Sequence, residues 1–188
     1  MFSKWLADII IRNSNWSEKD KVIAKYGLAK IFALLEDLIF TILIGSLFGI
    51  MWESIIFHIS FMSLRMYAGG CHSRTELRCK IHSALLTIVS IISIKWIPGG
   101  NEVSYLVILI ISIIIVFISP VESKNKPLSK KEKEINQKKT MFVLVFLNMS
   151  AIIALFFKKN LGVKIFMVVV CEVCILMTVG KVENRKEK

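Results

Sequence analysis

The sequence is poor in cysteine and in acidic residues. Only four of its 188 residues are cysteines, at positions 71, 79, 171 and 174, and this spacing gives no disulfide framework of a secreted domain. Free thiols are therefore expected. Aspartate and glutamate number 14 against 25 lysines and arginines, which leaves a net charge of +11.

Apolar residues dominate what is present. The chain is 55% hydrophobic, with a mean hydropathy of +0.64, and its cations are collected between apolar runs. Those runs are about 20 residues long, the length that crosses a hydrocarbon core. We therefore expect an all-α, polytopic integral membrane protein. Its positive charge is explained by the positive-inside rule and by anionic lipid, so no nucleic-acid partner is expected.

The N-terminal segment, residues 1–25, is predicted to lie on the membrane surface. Its first 16 residues form an amphipathic helical pattern that is too polar to span a bilayer. No cleavable signal is predicted, because Asp8 and Arg12 interrupt the apolar run and no small-x-small site follows. Ser17 is expected to begin a new helix.

Residues 26–188 are predicted to form a single domain with six transmembrane helices. The predicted spans are 28–50, 51–66, 81–97, 103–118, 141–157 and 161–180. Between them lie a polar island at residues 67–80, a turn at 98–101 and a basic loop at 120–139. With Arg65 counted at the edge of the island, 21 of the 25 cations fall in the N-terminal region, the island, the basic loop and the tail, which predicts that all four are cytoplasmic.

The polar island and its edges hold most of the reactive side chains. Cys79 and His82 are three residues apart and share a helix face, so spacing alone pairs this thiol with this imidazole. His72 can serve Cys79 only if the chain bends, for which Gly69–Gly70 and a Ser73–Glu76 capping box give the means, or if the two belong to different subunits. A zinc site, or simple packing with the histidines at the interface, are the alternatives for this cluster.

Other ionisable residues inside the spans are interpreted separately. Glu36 and Asp37 either hydrate at the interface, or one of them pairs with Arg65 or orients a histidine. His58 is predicted to be a packing residue, and so are the two cysteines of the sixth span, since no βαβ pattern surrounds their C-x-x-C spacing.

Two stretches resemble a known family. The first runs from Arg65 through Gly69, Gly70 and His72 to Cys79, and the second is the segment 120–128, with an N-K-P-L sequence bounded by prolines. Together they resemble the AgrB family, membrane cysteine endopeptidases of Gram-positive bacteria. The resemblance implies that Cys79 is the nucleophile and His72 its base, in place of His82.

It also implies that Arg65 and Gly70 support the site. The implied substrate is an AgrD-type precursor of a quorum-sensing peptide, with an amphipathic leader and an acidic C-terminal tail. Cys79 would cleave off the tail through a thioester, and an internal Cys or Ser of the peptide would close a thiolactone or lactone ring. Candidates for binding the tail are Lys124, Lys126, Lys130, Lys131 and Lys133.

The remaining expectations concern partners and rivals. No cofactor and no metal is expected, the bacterial cell membrane is the expected location, and a homodimer is expected. Asp37, Glu36 and Glu76 are candidates for the acid that orients His72, and Asp37 is favoured if Glu76 is used by the capping box. The rival functions are a small peptide transporter, with Glu36, Asp37 and Glu172 as its polar path, and a zinc-stabilised scaffold.

Overall fold

The computed structural model describes residues 17–70, 76–122 and 128–186, and it confirms that the protein is all-α. Six helices lie within these residues. In chain order they are α1 (Glu18–Leu47), α2 (Met51–Ala68), α3 (Glu76–Trp96), α4 (Glu102–Ile118), α5 (Lys130–Phe156) and α6 (Asn160–Lys186).

Three of these helices, α3, α5 and α6, are long and apolar enough to cross a membrane. Helix α4 is shorter, with 17 residues, and it is also apolar. Helices α1 and α2 are long but carry charges within the predicted spans, among them Glu36, Asp37 and Arg65. The helices identify a polytopic membrane protein, as the sequence predicts.

Helix α6 forms the centre of the bundle. It packs against α2, α3, α4 and α5, while α1 packs against α2 and α3. Its fully buried residues are Val163, Ile165, Val169, Val170, Val173 and Met177. Such β-branched and unbranched apolar side chains fill the space between neighbouring helices without needing polar partners.

Helix α3 lies at the edge of the bundle and packs mainly on α1 and α6. Along its other side it exposes large apolar residues at helical spacing. They are Leu77, Ile81, Leu85, Val89, Ile92 and Trp96. In a bilayer this stripe would contact acyl chains, so α3 is held from one side only.

The start of α1 follows the sequence prediction. The Ser17 side chain accepts a hydrogen bond from the backbone N–H of Asp20 at 3.3 Å, as an N-cap does. The helix then continues without a break through residue 25, where the surface segment is predicted to end. Residues 1–16, the rest of that segment, lie outside the described residues.

The predicted basic loop at 120–139 is only partly a loop, because α5 begins at Lys130. The reason is a capping box. The Ser129 side chain accepts from the Glu132 N–H at 3.3 Å, and the Glu132 carboxylate accepts from the Ser129 N–H at 2.8 Å. Lys130, Lys131 and Lys133 therefore lie on a helix.

Two lysines bind helix ends at the side of the bundle remote from the island. Lys95 donates to the carbonyl of Phe48, which follows α1, and Lys164 donates to the carbonyl of Ile97 at 3.0 Å, just after α3. Carbonyls at helix C-termini lack partners within the helix, and cations are favourable there. The predicted turn at 98–101 follows, and Asn101 caps α4 by accepting from the Ser104 N–H.

Candidate active site

Cys79 lies in the first turn of α3, at the island end of the bundle. Its side chain is half-buried and its thiol is free, as are those of Cys171 and Cys174 on α6. His82 lies one turn further along α3 and is exposed. His72, which the family resemblance makes the base, lies outside the described residues, so the structure does not choose between the two histidines.

The residue after Cys79 ties α3 to α1. Lys80 forms an ion pair with Glu36, and both side chains remain partly exposed. Asp37, next to Glu36, interacts electrostatically with Lys80 and with Arg65 of α2. Three helices thus bring Glu36, Asp37, Arg65 and Lys80 together beside the cysteine, including three residues that the sequence singles out from separate spans.

Arg65 lies in the last turn of α2. Its guanidinium lies 5.6 Å from the centre of the Phe61 ring, and it interacts electrostatically with Asp37 and with Glu172 of α6. Ionisable groups at membrane depth are costly and are usually partnered, and Arg65 is a cation that interacts with an acid on each of two other helices.

The glycine pair ends α2 and anchors the chain before the island's reactive residues. Gly69 has a φ of 80° and Gly70 a φ of 144°, conformations that favour glycine. Gly69 forms a parallel bridge with Val121, whose N–H donates to the Ala68 carbonyl at 2.9 Å. A Cβ on Gly69 would lie 2.2 Å from the Val121 carbonyl oxygen.

This bridge joins the two stretches that carry the family resemblance. Val121 belongs to the segment 120–128, and Gly69 to the run that ends at Cys79. Gly70 is buried and faces Leu176 of α6, which would lie 3.5 Å from a Cβ at that position. Sequence reasoning did not find this contact, because it is tertiary and leaves no periodicity.

The structure describes three of the five lysines that are predicted to bind the substrate tail. Lys130, Lys131 and Lys133 are exposed on the first turns of α5, and Lys133 forms an ion pair with Glu122. Lys124 and Lys126 lie outside the described residues. The described lysines therefore present positive charge on the island side of the bundle.

A groove that the sequence reasoning missed lies between α2 and α5. It has a volume of about 500 Å³ and a mostly apolar lining that includes two lysines. Its lining residues are Ser63, Met66, Tyr67, Lys138, Lys139, Phe142 and Val143. The Lys139 ammonium lies 5.1 Å from the centre of the Tyr67 ring, a cation–π contact. The sequence does contain a signal for the cationic part of this groove, since Lys138 and Lys139 are the last cations before the apolar run of α5.

Two predictions remain for the histidines and cysteines: that His58 is a packing residue, and the alternative that the island binds zinc. His58 is buried, and its Nδ1 lies 3.1 Å from the Thr41 hydroxyl, which confirms a satisfied packing residue. Across residues 17–70, 76–122 and 128–186, no three His, Cys, Asp or Glu side chains cluster closely enough to hold a metal ion. The island's Cys71 and His72 are not among those residues.

These features define a class of protein: a helical, polytopic membrane protein with a free cysteine in a charged cluster at one end of its bundle. The family model described as AgrB, accessory gene regulator B, matches residues 3–178. The chain therefore belongs to the AgrB family, and membership implies processing of an AgrD propeptide.

Curated relatives agree with this assignment. An AgrB-like protein of Clostridium perfringens strain SM101 is 29% identical over 172 residues, which cover 85% of this chain and 78% of the relative. The accessory gene regulator protein B of Staphylococcus intermedius is 26% identical over 131 residues, 68% of this chain and 59% of the relative. An AgrB-like protein of Listeria monocytogenes EGD-e is 23% identical over 155 residues, 80% and 76% of the two chains. No solved structure matches the chain.

Proposed function

We propose that this protein is a membrane cysteine endopeptidase that removes the C-terminal tail of an AgrD-type precursor and promotes cyclisation of the signal peptide. The observation that carries the proposal is the position of Cys79. In a chain of the AgrB family, it lies in the first turn of α3 beside a cluster of Glu36, Asp37, Arg65 and Lys80.

The proposed chemistry begins with the thiol. His72 takes the proton of Cys79, and the thiolate attacks the carbonyl at the cleavage point of the precursor. The C–N bond breaks, the tail leaves as an amine with the proton that the histidine returns, and the remaining peptide is held as a thioester. An internal thiol or hydroxyl of the peptide then attacks the thioester, closes the ring and frees Cys79.

Asp37 is the proposed orienting acid. Glu36 is bound to Lys80, whereas Asp37 is half-buried and interacts with both Lys80 and Arg65. A carboxylate in this position can accept the N–H of an imidazole and fix its tautomer. The proposal assigns Arg65 the role of a cation that supports Asp37, and Gly70 that of the residue that lets the chain leave α2.

The groove between α2 and α5 is the proposed path for the acidic tail. It begins at Tyr67, close to the glycine pair, and its lining includes Lys138 and Lys139. Lys130, Lys131 and Lys133, with Lys124 and Lys126, would extend the positive surface further along the tail. Electrostatic attraction of this kind serves orientation and association rate more than final affinity.

The remaining parts of the proposal concern the assembly and its setting. We infer six spans, with both termini and the island on the cytoplasmic side of the cell membrane, from the distribution of cations. A homodimer is proposed with them. The transporter alternative gains no support, since Glu36 and Glu172 are each bound by a partner on α3, Lys80 and Ser90.

The test is mass spectrometry of the purified protein in lipid vesicles, incubated with an AgrD-type precursor peptide. The wild-type protein should release a tail-sized fragment and gain the mass of an acyl group on Cys79. Cys79→Ala should do neither. Cleavage by Cys79→Ala, or no cleavage by either protein with a precursor that a known AgrB protein processes, would sink the proposal.

A further inference from the structure

A carboxylate within the bundle is left unused by the chemistry above. Glu172 lies near the middle of α6 and is only 8% exposed. Its carboxylate accepts a hydrogen bond from the hydroxyl of Ser90 on α3 at 2.7 Å, and Ser90 is 3% exposed. The Arg65 guanidinium interacts with the same carboxylate.

A buried carboxylate is costly in a membrane helix, so its presence suggests a role in the fold or in the reaction. Ionisable residues inside spans face the bundle interior and pair with polar groups, as Glu172 does. A Gln or a Leu would fit an ordinary packing position without that cost. The partner that Glu172 binds, Ser90, lies on the helix that carries Cys79.

Helical geometry links Ser90 to the cysteine. The two residues are eleven positions apart, which is close to three full turns at about 100° per residue, so their side chains point within about 20° of each other. The hydrogen bond to Glu172 therefore fixes the direction in which Cys79 points. A rotation of α3 by one residue would turn the thiol by about 100°.

Apolar packing also restrains the rotation of α3, since Ile91 and Ile94 are fully buried, but such packing is less directional than a hydrogen bond. The helix packs mainly on α1 and α6, and its outer side is an exposed apolar stripe that any lipid can solvate. Two further polar contacts join α3 to α1 and its C-terminal end: Lys80 pairs with Glu36, and Lys95 donates to the Phe48 carbonyl. Both involve exposed lysine side chains, and such contacts contribute little. The buried hydrogen bond is the stronger restraint.

We propose that Glu172 is a positioning residue for the AgrB reaction: its bond to Ser90 sets the rotation of α3 and so aims Cys79 at the substrate. This inference rests on the proposed function. It assigns no chemistry to Glu172, which acts only through α3.

The experiment compares six proteins in lipid vesicles: wild type, Ser90→Ala, Glu172→Ala, Glu172→Gln, the double variant Ser90→Ala/Glu172→Ala, and Ser93→Ala. Ser93 is the matched control, because it lies on the same helix but its hydroxyl donates to the Val89 carbonyl of its own helix. Two rates are measured, processing of an AgrD-type precursor and alkylation of Cys79 by iodoacetamide, read by peptide mass spectrometry.

Ser90→Ala and Glu172→Ala should each lower kcat about 3- to 30-fold, the range for one hydrogen bond between membrane helices, with KM within twofold. The double variant should be no worse than the poorer single variant, since both remove the same bond. Glu172→Gln should keep most of the activity, because its amide oxygen accepts the same bond, and Ser93→Ala should match wild type. Cys79 alkylation should change in the same variants as kcat.

Additive losses in the double variant, or a Glu172→Gln protein as slow as Glu172→Ala, would overturn the inference. So would an alkylation rate that is the same in all six proteins. If circular dichroism shows that Glu172→Ala does not fold, the rates of Ser90→Ala and Glu172→Gln still test the inference. If wild type does not process the precursor at all, the proposed function falls, while the alkylation rates still report whether Glu172 and Ser90 aim Cys79.

Discussion

At the scale of single residues, the glycine pair shows how local backbone chemistry serves the site. Gly69 has a φ of 80°, a conformation that favours glycine, and the Val121 carbonyl leaves no room for a side chain at this position. The sequence predicts a break at this position but not its tertiary contact. Steric space, rather than turn propensity alone, makes glycine necessary.

Gly69→Ala should therefore destabilise the protein and abolish precursor processing. The added Cβ meets the Val121 oxygen at 2.2 Å, and a non-glycine residue at positive φ costs about 1–2 kcal/mol besides. The matched control is Gly49→Ala, since Gly49 has a φ of 72° but open space around its Cβ position. Thermal unfolding in detergent should show a clearly larger loss for Gly69→Ala, and equal losses would mean that the Val121 contact does not matter.

The buried residues His58 and Thr41 show what residue-level reasoning can achieve. A lone histidine in an apolar span is expected to be a packing residue, and His58 has a partner within hydrogen-bonding distance in α1. The partner itself is not predictable, because it depends on how α1 and α2 cross. Residue type therefore predicted the role, and tertiary packing determined the contact.

At the scale of helices, α1 and α2 come close together at Gly45. A Cβ there would lie 2.1 Å from the Ser54 hydroxyl, and Ser54 is fully buried. Gly45→Ala should cost about 1–3 kcal/mol, as overpacking does. Gly27→Ala on the same helix meets nothing within 4 Å and should stabilise by up to about 1 kcal/mol.

Chemical denaturation in mixed micelles measures both variants of α1. A destabilised Gly27→Ala protein, or a Gly45→Ala protein as stable as wild type, would contradict this account of helix packing. The comparison separates the contact between helices from helix propensity, because both substitutions lie in α1 and make the same chemical change.

Helix α5 carries the prediction for the substrate tail. Lys138→Gln/Lys139→Gln should raise KM for a precursor with an acidic tail about 2- to 10-fold, since two partly exposed charge pairs are lost. A precursor with a neutral tail should be unaffected, and added salt should reduce the difference. Lys158→Gln/Lys159→Gln, which removes two exposed cations after α5, is the control. An equal rise in KM for both tails would exclude the groove as the tail's path.

The start of α5 also shows where the sequence analysis was wrong. Seven lysines between Pro120 and Lys139 suggest a solvated loop, yet Ser129 and Glu132 form the S-x-x-E pattern of a helix start. The high density of charge hides this pattern, because lysine and glutamate are common both in solvated loops and on exposed helix faces. The bond between Ser90 and Glu172, in contrast, has no sequence signal, since it depends on the relative rotation of α3 and α6.

At the scale of the whole molecule, the fold class and the family followed from hydropathy and from two short motifs. The order of packing around α6 did not, because apolar spans give no preference for particular neighbours. Lys95 and Lys164 lie at the end of the bundle remote from the island, and both bind helix carbonyls. Half of the four cations expected on that side thus have a structural partner.

The orientation of the bundle is a prediction that reporter fusions can check. A fluorescent protein fused after Lys188 should mature in the cytoplasm, and alkaline phosphatase inserted in the turn at 98–101 should be active outside. The physical reason is the excess of cations at the island end. Phosphatase activity from the fusion after Lys188 would reverse the orientation and place the island outside.

The one-sided packing of α3 has a consequence for physiology. In a bilayer the exposed apolar stripe of α3, the helix that carries Cys79, would contact acyl chains, so fatty-acid composition would become part of the solvent of this helix. A bacterium that remodels its fatty acids with temperature or growth phase would then also change the stability of the packing of α3 against α1 and α6. Signal output would carry information about the state of the envelope as well as the number of cells.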